Sequence, residues 1–494
     1  MKIHLLKKSK ILQTVYRQAA EQQAEVYLVG GALRDLLMGR PLGKDFDFAV
    51  RTRTDHLAQK LALETGGHAF VLDDQFGTWR LIIKEKGEKF EADLSPFQGS
   101  TIEEDLNKRD FTVNSLAISL KELFHDGNPQ IVDPLQGWDD LEKRILRKNS
   151  EASFLQDPLR MLRAFRFSST HNLRPDPGTL TAIQKNKSLI QRTAGERIRK
   201  EFFLALGQNQ AGRFFGDLHR HGLLGEIFPE TRGWETLDLE PPKGFTLLDH
   251  ALKTVEACEC LLNHLDYLCP SQGGSLRKYF SETVEEGISR EGLIRFLAFF
   301  HDSGKPGAAR AYSETQKVRF LDHDRQGEKI NLRIGQRIKL SRKSIRILSE
   351  LTRHHMRLSS LTKTEMITGR AKYRYFRDLG KSGIDLAILS LANSWGREEG
   401  SLADPFAVEL KGEAERMKEA VSGIISYYFE EYESRPSRPL LDGNEVQRVL
   451  GILPGKKIGN VLGALKEAEI SGKVRSREEA LEFIKNIDIF KPII

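Results

Sequence analysis

The run Leu28-Val-Gly-Gly-Ala-Leu-Arg-Asp-Leu-Leu-Met-Gly-Arg-Pro-Leu-Gly-Lys-Asp-Phe-Asp-Phe-Ala-Val50 constrains the fold more than any other part of the chain. Glu25 to Val29 reads as a short strand, Ala32 to Met38 as a helix and Asp45 to Val50 as a second strand. Gly30 and Gly31 thus occupy a strand-to-helix turn. Without Cβ atoms they let backbone N–H groups approach phosphate oxygens, and the helix N-terminus favours the negative charge. Arg34, one turn into the helix, is placed to grip a triphosphate; taken alone it is equally a surface arginine. On the second strand the period of two puts Asp45 and Asp47 on one face and Phe46 and Phe48 on the other. Carboxylates this close repel unless a cation lies between them, and Mg²⁺ held by carboxylates and substrate phosphates is the natural candidate. Trp79 to Lys84 and Lys89 to Leu94 read as a hairpin joined by Glu85-Lys86-Gly87-Glu88. Its second strand carries Glu91 and Asp93 on one face, which makes a third carboxylate available.

At 494 residues the chain exceeds one ordinary core, and roughly three domains are expected. The hydrophobic share of 39% supports folded cores, and the longest apolar run, Leu293 to Phe300, is broken by Arg295. A membrane span is therefore not expected, nor is a secretory signal after Lys2, Lys7, Lys8 and Lys10. Cys258, Cys260 and Cys269 are too few for a disulfide framework, and their spacing fits no common zinc site; a reducing cytoplasm is the expectation. The net charge of +7 leans towards a polyanionic partner. No repeat of solenoid or propeller length is visible.

Beyond the first 145 residues the pattern turns helical, with an Arg-rich stretch from Ser153 to Leu206 and a linker at Gly233 to Gly244. A second helical block covers Phe245 to Gly400, interrupted by a polar segment around Pro270 to Gly287. An amphipathic helix follows at Phe406 to Tyr432. Ser434-Arg-Pro-Ser-Arg-Pro439 then leads into a small helical tail.

The Leu28 to Val50 run resembles the head of the class II tRNA nucleotidyltransferases, the CCA-adding enzymes and their bacterial poly(A) polymerase relatives, whose pattern is LVGG-x-x-RD, GR and D-x-D. Four further segments resemble the family in order: Arg109-Asp-Phe-Thr-Val-Asn-Ser-Leu-Ala117, Ile131-Val-Asp-Pro-Leu-Gln-Gly-Trp-Asp-Asp-Leu141, Asp157-Pro-Leu-Arg-Met-Leu-Arg-Ala-Phe-Arg-Phe167 and Gly195-Glu-Arg-Ile-Arg199. The resemblance implies an α+β fold. A small mixed-sheet, polymerase β-like head (1–145) would precede a helical neck (146–235), an HD-like helical domain (245–405) and a helical body and tail (406–494). It implies template-independent addition of nucleotides to the 3′ end of tRNA from CTP and ATP, with two-metal chemistry. Asp45 and Asp47 would hold Mg²⁺ or Mn²⁺, with Glu91 as the third carboxylate. Arg34 and Arg109 would neutralise the triphosphate, and Asp110 and Asn114 would orient sugar and loop. Asp157 and Arg160 would read the base, and Arg163 and Arg166 join the nucleotide-binding set. Read without the family, Arg160, Arg163 and Arg166 form only a basic helical stripe.

Two departures modify this expectation. Gln156 replaces the Glu of the family's E-D-x-x-R helix, where that Glu would support the reading pair. Typical CCA-adding members also carry a long flexible loop between the Glu91 strand and Arg109, and it is associated with the switch from CTP to ATP. Only about 18 residues remain here, which leans the expectation towards CC addition alone.

The second block carries His250, Phe300-His301-Asp302-Ser-Gly-Lys305, Asp322-His323 and His354-His355. His and Asp in this order resemble the HD phosphohydrolases, and the resemblance leaves two readings open: a second divalent metal at His250, His301, Asp302, His323 and His355, or a degenerate fold or regulatory remnant. That family closes its site with a late Asp, where this chain has Asn393, a weaker ligand. In the tail, Pro454-Gly455-Lys456-Lys457 before a helix offers N–H groups and cations to an RNA phosphate, or is an ordinary turn. The competing readings are a poly(A) polymerase, an HD phosphohydrolase acting on RNA ends or nucleotides, and a silent RNA-binding protein. The oligomeric state is left open.

Overall fold

The computed structural model describes residues 2–51, 53–74, 76–85, 87–126, 129–239, 244–311, 318–364, 366–397, 412–433, 440–470 and 473–487. They form two compact units, 1–201 with 217–227, and 202–216 with 228–494. The expected 146–235 neck is thus divided between both.

In the first unit the alternating residues build a mixed sheet of seven strands: β1 (Val26–Val29), β2 (Asp45–Val50), β3 (His68–Asp73), β4 (Thr78–Glu85), β5 (Glu88–Pro96), β6 (Ala117–Ser119) and β7 (Ile131–Val132), in the order β3-β4-β5-β2-β1-β6-β7. The central strand β2 runs antiparallel to β1 and parallel to β5, where Asp45 lies opposite Glu91 and Asp47 opposite Asp93. Its inward Phe46 and Phe48 are buried with Leu28, Leu33, Leu81 and Leu94, while Asp45 and Asp47 face outward. That burial fixes the register, since a one-residue slip would put the carboxylates into the core. The expected hairpin forms, with Glu85 opposite Glu88. The helix after Gly30 spans Gly31–Leu37. In the expected Arg-rich helical stretch lie helices Leu159–His171, Pro177–Asn186 and Gly195–Leu206.

The second unit is almost all helical. Its core gathers Phe202, Phe214, Phe215, Phe228, Trp234, Phe296, Phe299 and Phe300, with Phe215 and Phe299 stacked at 4.0 Å between ring centroids. The apolar run at 293–300 tolerates its arginine because Arg295, fully buried, donates to the Leu206 carbonyl at 2.7 Å and pairs with Glu291. The polar interruption expected at Pro270 to Gly287 is instead ordered: helix Gly273–Phe280 buries Leu276, Tyr279 and Phe280, and a short hairpin follows. Their apolar residues are sparse but evenly spaced at helical period, so composition alone understated them. Of the helix expected from Phe406, the described part is Glu413–Tyr427 and its continuation to Tyr432; the start and the 434–439 segment lie outside the described residues. The tail is three helices, Gly443–Leu450, Lys456–Ile470 and Arg477–Lys485, around Val446, Val461, Leu465 and Ile484. Buried Glu467 joins it to helix Gly369–Leu379 through Arg370, Arg374 and Arg377. No described helix is long and apolar enough to cross a membrane.

Candidate active site and candidate metal centre

In the first unit a cavity of about 480 Å³ opens beside the exit of β1. Gly30, Gly31, Arg34, Asp47, Arg109, Asp110, Asn114, Asp157, Arg160, Arg163 and Arg166 all line it, so eleven of the expected site residues meet in one place. Seven cationic side chains and four carboxylates face the space, an excess of three positive charges that suits a polyphosphate. Asp45 and Glu91 are not among its walls.

Gly30 shows why glycine is needed at this turn. Its φ is +71°, and a Cβ there would stand 3.1 Å from Asp47 Oδ2 and 3.5 Å from the Arg109 guanidinium. Gly30→Ala should therefore strain the backbone and push apart the acid and the cation it separates. Because small displacements at a reacting centre are costly, kcat/KM should fall about 10–100-fold with little change in secondary structure, read by steady-state kinetics and circular dichroism.

Across the sheet, Arg80 on β4 lies opposite Asp93 and clamps it with two 2.7 Å bonds while reaching Glu91 Oε2 at 2.8 Å. Glu91 also accepts from Lys89 at 2.7 Å. Burial and the neighbouring Glu91 push the Asp45 carboxyl above its ordinary value. Crowding by protein pushes Asp47 up as well, with Arg109 opposing and Asp93 adding to the rise. A hard divalent cation would relieve both, and hard carboxylate oxygens are its preferred donors.

The remaining wall is one continuous polar chain. Buried Arg34 donates to Asn114 Oδ1 at 2.7 Å and to Asp35 at 2.9 Å; Asn114 donates to Asp110 Oδ1 at 3.0 Å. Asp110 Oδ2 accepts from Arg163 at 2.8 Å, and Arg163 reaches Glu201, which also holds Arg166. Although burial opposes it, Arg163 and Asn114 hold Asp110 down to about 2. Arg34, Arg163 and Arg166 surround the Phe167 ring at 4.9, 5.4 and 4.1 Å. Arg34 thus enters the cavity with its charge already shared.

His171 Nε2 lies 3.2 Å from Asp35 and completes this support. Burial lowers its pKa to about 4. A histidine held neutral in the fold contributes fully above its unfolded value of about 6.5, and the contribution is lost as pH falls towards 4. Melting temperature should drop between pH 7.5 and 5, with a shallower slope in His171→Gln.

Gln156 is exposed and supports neither Asp157 nor Arg160. Their contacts come from elsewhere: Arg160 donates to Ser153 Oγ at 3.1 Å and to the Lys108 carbonyl at 2.8 Å, and Arg197 holds Asp157. Arg197 lies in the 195–199 segment but carries no assigned role there, and Glu201, Arg80 and Asp105, which holds Arg109 at 3.0 Å, lie outside the expected site. The available signal was the Glu-Arg-Ile segment at 196–198, with Arg197 one turn before Glu201 on a helix face.

The second unit holds the other constellation. His250 and His301 place Nε2 3.3 and 3.2 Å from Asp302 Oδ2, and His323 and His355 place theirs 3.5 and 3.3 Å from Oδ1. Among the described residues, the groups of three His, Cys, Asp or Glu ligand atoms within 4.8 Å of one another are these two, which share Asp302. Backbone carbonyls of Ala298, Phe320 and Thr352 engage the Nδ1 atoms of His301, His323 and His355, which turns their Nε2 atoms to the aspartate. Neither nitrogen of His250 makes a hydrogen bond, nor does His301 Nε2. Burial pushes His250 down to about 3, so it is the neutral form that a metal accepts. Lys305 and the histidines hold Asp302 well below the carboxylate range. Buried Asn393 Oδ1, on the helix packed against that of His250, meets no donor.

Residues 26–147 match the family model of the poly A polymerase head domain, 172–234 that of the probable RNA and SrmB-binding site of polymerase A, and 247–378 that of the HD domain. The chain is 32% identical to the A-adding tRNA nucleotidyltransferase of Deinococcus radiodurans, over 93% of this chain and 94% of the relative. It is 29% identical to the CC-adding tRNA nucleotidyltransferase of Geobacter sulfurreducens, over 94% and 93%. Among solved structures, a CCA-adding enzyme in its apo form I superposes with a TM-score of 0.64 at 20% identity, over 98% of this chain and 96% of that one.

Proposed function

The chain belongs to the tRNA nucleotidyltransferase family, and from that membership we propose that it extends the 3′ end of tRNA by C residues, consuming CTP and releasing pyrophosphate. The carrying observation is the single cavity that joins Asp47 on β2 to Asp157 and Arg160 on helix Leu159–His171. Its volume of about 480 Å³ falls in the range that accommodates a ligand of nucleotide size.

In this reading Asp45 and Asp47 hold Mg²⁺ or Mn²⁺, with Glu91 completing the set and Asp93, directly opposite Asp47, as the alternative. Such ions would lower the charge on the triphosphate and ease ionisation of the attacking 3′-hydroxyl. The chain's own groups do the rest. Arg109, fixed by Asp105, faces the phosphates beside Gly30. The Asp110, Asn114 and Arg163 chain keeps the sugar side of the cavity rigid, so little reorganisation is needed when nucleotide binds. Asp157 accepts from the amino group of the base, and Arg160 donates to its ring nitrogen or carbonyl.

The preference for C rests on the segment between β5 and Arg109. It holds only the short helix Ile102–Asn107, pinned by Ser100 and Gln98 backbone bonds to Glu104 and Asp105. That leaves no extended loop there of the kind associated with the change to ATP. The test pairs a tRNA transcript ending at its discriminator base with an unrelated RNA of equal length, each given Mg²⁺ with CTP or ATP. C added to the tRNA alone supports the proposal; A-tails on both RNAs would replace it with poly(A) synthesis.

A second reading concerns the other unit. The two histidine pairs around Asp302 fit a divalent metal centre that hydrolyses phosphoesters, with Asn393 in place of a charged closing ligand. The neutral amide would weaken retention of the ion, so activity there is expected to need added metal.

A further inference from the structure

Asp157 and Arg160 share the cavity wall but are supported from different directions. Arg160 is fixed by Ser153, in the segment leading into its helix, and by the Lys108 carbonyl. Asp157 is held by a residue forty positions away. Arg197, in the first turn of helix Gly195–Leu206, donates to Asp157 Oδ1 at 3.2 Å and to Oδ2 at 2.9 Å. Oδ1 also accepts from the Leu159 backbone N–H at 3.2 Å. One turn further on, Glu201 holds Arg163 and Arg166. Helix Gly195–Leu206 therefore supplies partners to three charged groups on or beside helix Leu159–His171.

A two-point guanidinium fork fixes the plane of a carboxylate as well as its position. Each carboxylate oxygen has two lone pairs; Arg197 and the Leu159 N–H take both on Oδ1, and one on Oδ2 stays open in the wall that lines the cavity. An ionised carboxylate only accepts. It therefore suits the exocyclic amino group of cytosine or adenine and opposes the carbonyl that uracil and guanine present at the matching position. A loosely held carboxylate would discriminate less, because it could turn away and admit water between itself and a wrong base. An unpaired Arg197 would add a donor able to reward that carbonyl.

We propose that Arg197 is a positioning residue that sets nucleotide selection: it locks the plane of Asp157 and keeps its own donors off the incoming base. This rests on the reading that Asp157 faces the base. Without the fork, selection of CTP over UTP falls while chemistry on CTP continues.

The experiment measures kcat and KM for CTP and for UTP, on one tRNA transcript, with wild type, Arg197→Met, Arg197→Lys and Asp157→Ala as full chains. In Arg197→Met the ratio of kcat/KM for CTP to that for UTP should fall about tenfold or more, mostly through KM for CTP. Arg197→Lys, which restores charge without the fork, should recover part of it. Parallel loss for both nucleotides with an unchanged ratio would overturn the proposal and leave Arg197 a structural residue. An unchanged ratio in Asp157→Ala would overturn the base-reading assignment itself, a separate failure. Equal melting temperatures of Arg197→Met and wild type keep a folding defect from mimicking either result.

Discussion

Asp47→Ala should abolish nucleotide addition, lowering kcat/KM at least about a thousandfold, while leaving the fold intact. Asp47 alone among the expected metal-binding carboxylates lines the cavity, with Arg109 beside it and Gly30 in close approach. Several kcal/mol of stabilisation on developing charge would go with an ion held there, and each ~1.4 kcal/mol is a factor of ten in rate. No structural penalty is expected, because the fold gains little from this carboxylate. Crowding by protein already raises its pKa and so disfavours its ionised form, and no buried cation depends on it alone. Melting temperature should hold or rise slightly. Asp45→Ala should behave alike. A variant pair that keeps wild-type rates would remove both aspartates from the reaction.

Asp302→Ala should produce the opposite pattern, a large loss of stability with tRNA extension retained. Asp302 is 2% exposed and faces four imidazoles, while buried Lys305 has its ammonium 2.5 Å away. Removing it leaves Lys305 an uncompensated buried charge, a change that costs about 3–5 kcal/mol in comparable buried pairs. Calorimetry should show a transition several degrees lower. Metal content should also fall, since both histidine pairs share this one carboxylate. Divalent metal measured by mass spectrometry after dialysis would report that loss, with Asp302→Asn as the variant that preserves shape. Wild-type metal retention in both variants would contradict the centre.

What could be read from the sequence was local. The Asp45 to Val50 strand shows its two faces by alternation, and the structure buries Phe46 and Phe48 and puts the two aspartates on the opposite face. The hairpin at 78–96 and the turn at Gly30 are short-range features as well. The His250, His301, Asp302, His323 and His355 cluster was legible only through the order of its residues in a pattern that resembles the HD family, since the helices that carry or precede them are far apart in sequence. What escaped were partners chosen by tertiary approach. Nothing near Asp157 announces Arg197, and nothing near Arg163 announces Glu201; both depend on how helix Gly195–Leu206 meets helix Leu159–His171. The role of Arg80 required the β4–β5 register, which a sequence does not state. Strands β3, β6 and β7 were likewise unmarked, the last two being only three and two residues long.

Addition of C residues to the tRNA 3′ end is tested on three tRNA transcripts, ending at the discriminator base, after C and after CC. Each is incubated with Mg²⁺ and CTP, ATP or both, and resolved to single nucleotides. Two additions, one addition and none are expected from CTP, with ATP unused throughout. Completion to CCA would contradict the restriction to C, and no extension of any transcript would contradict the assignment of this cavity to nucleotide transfer.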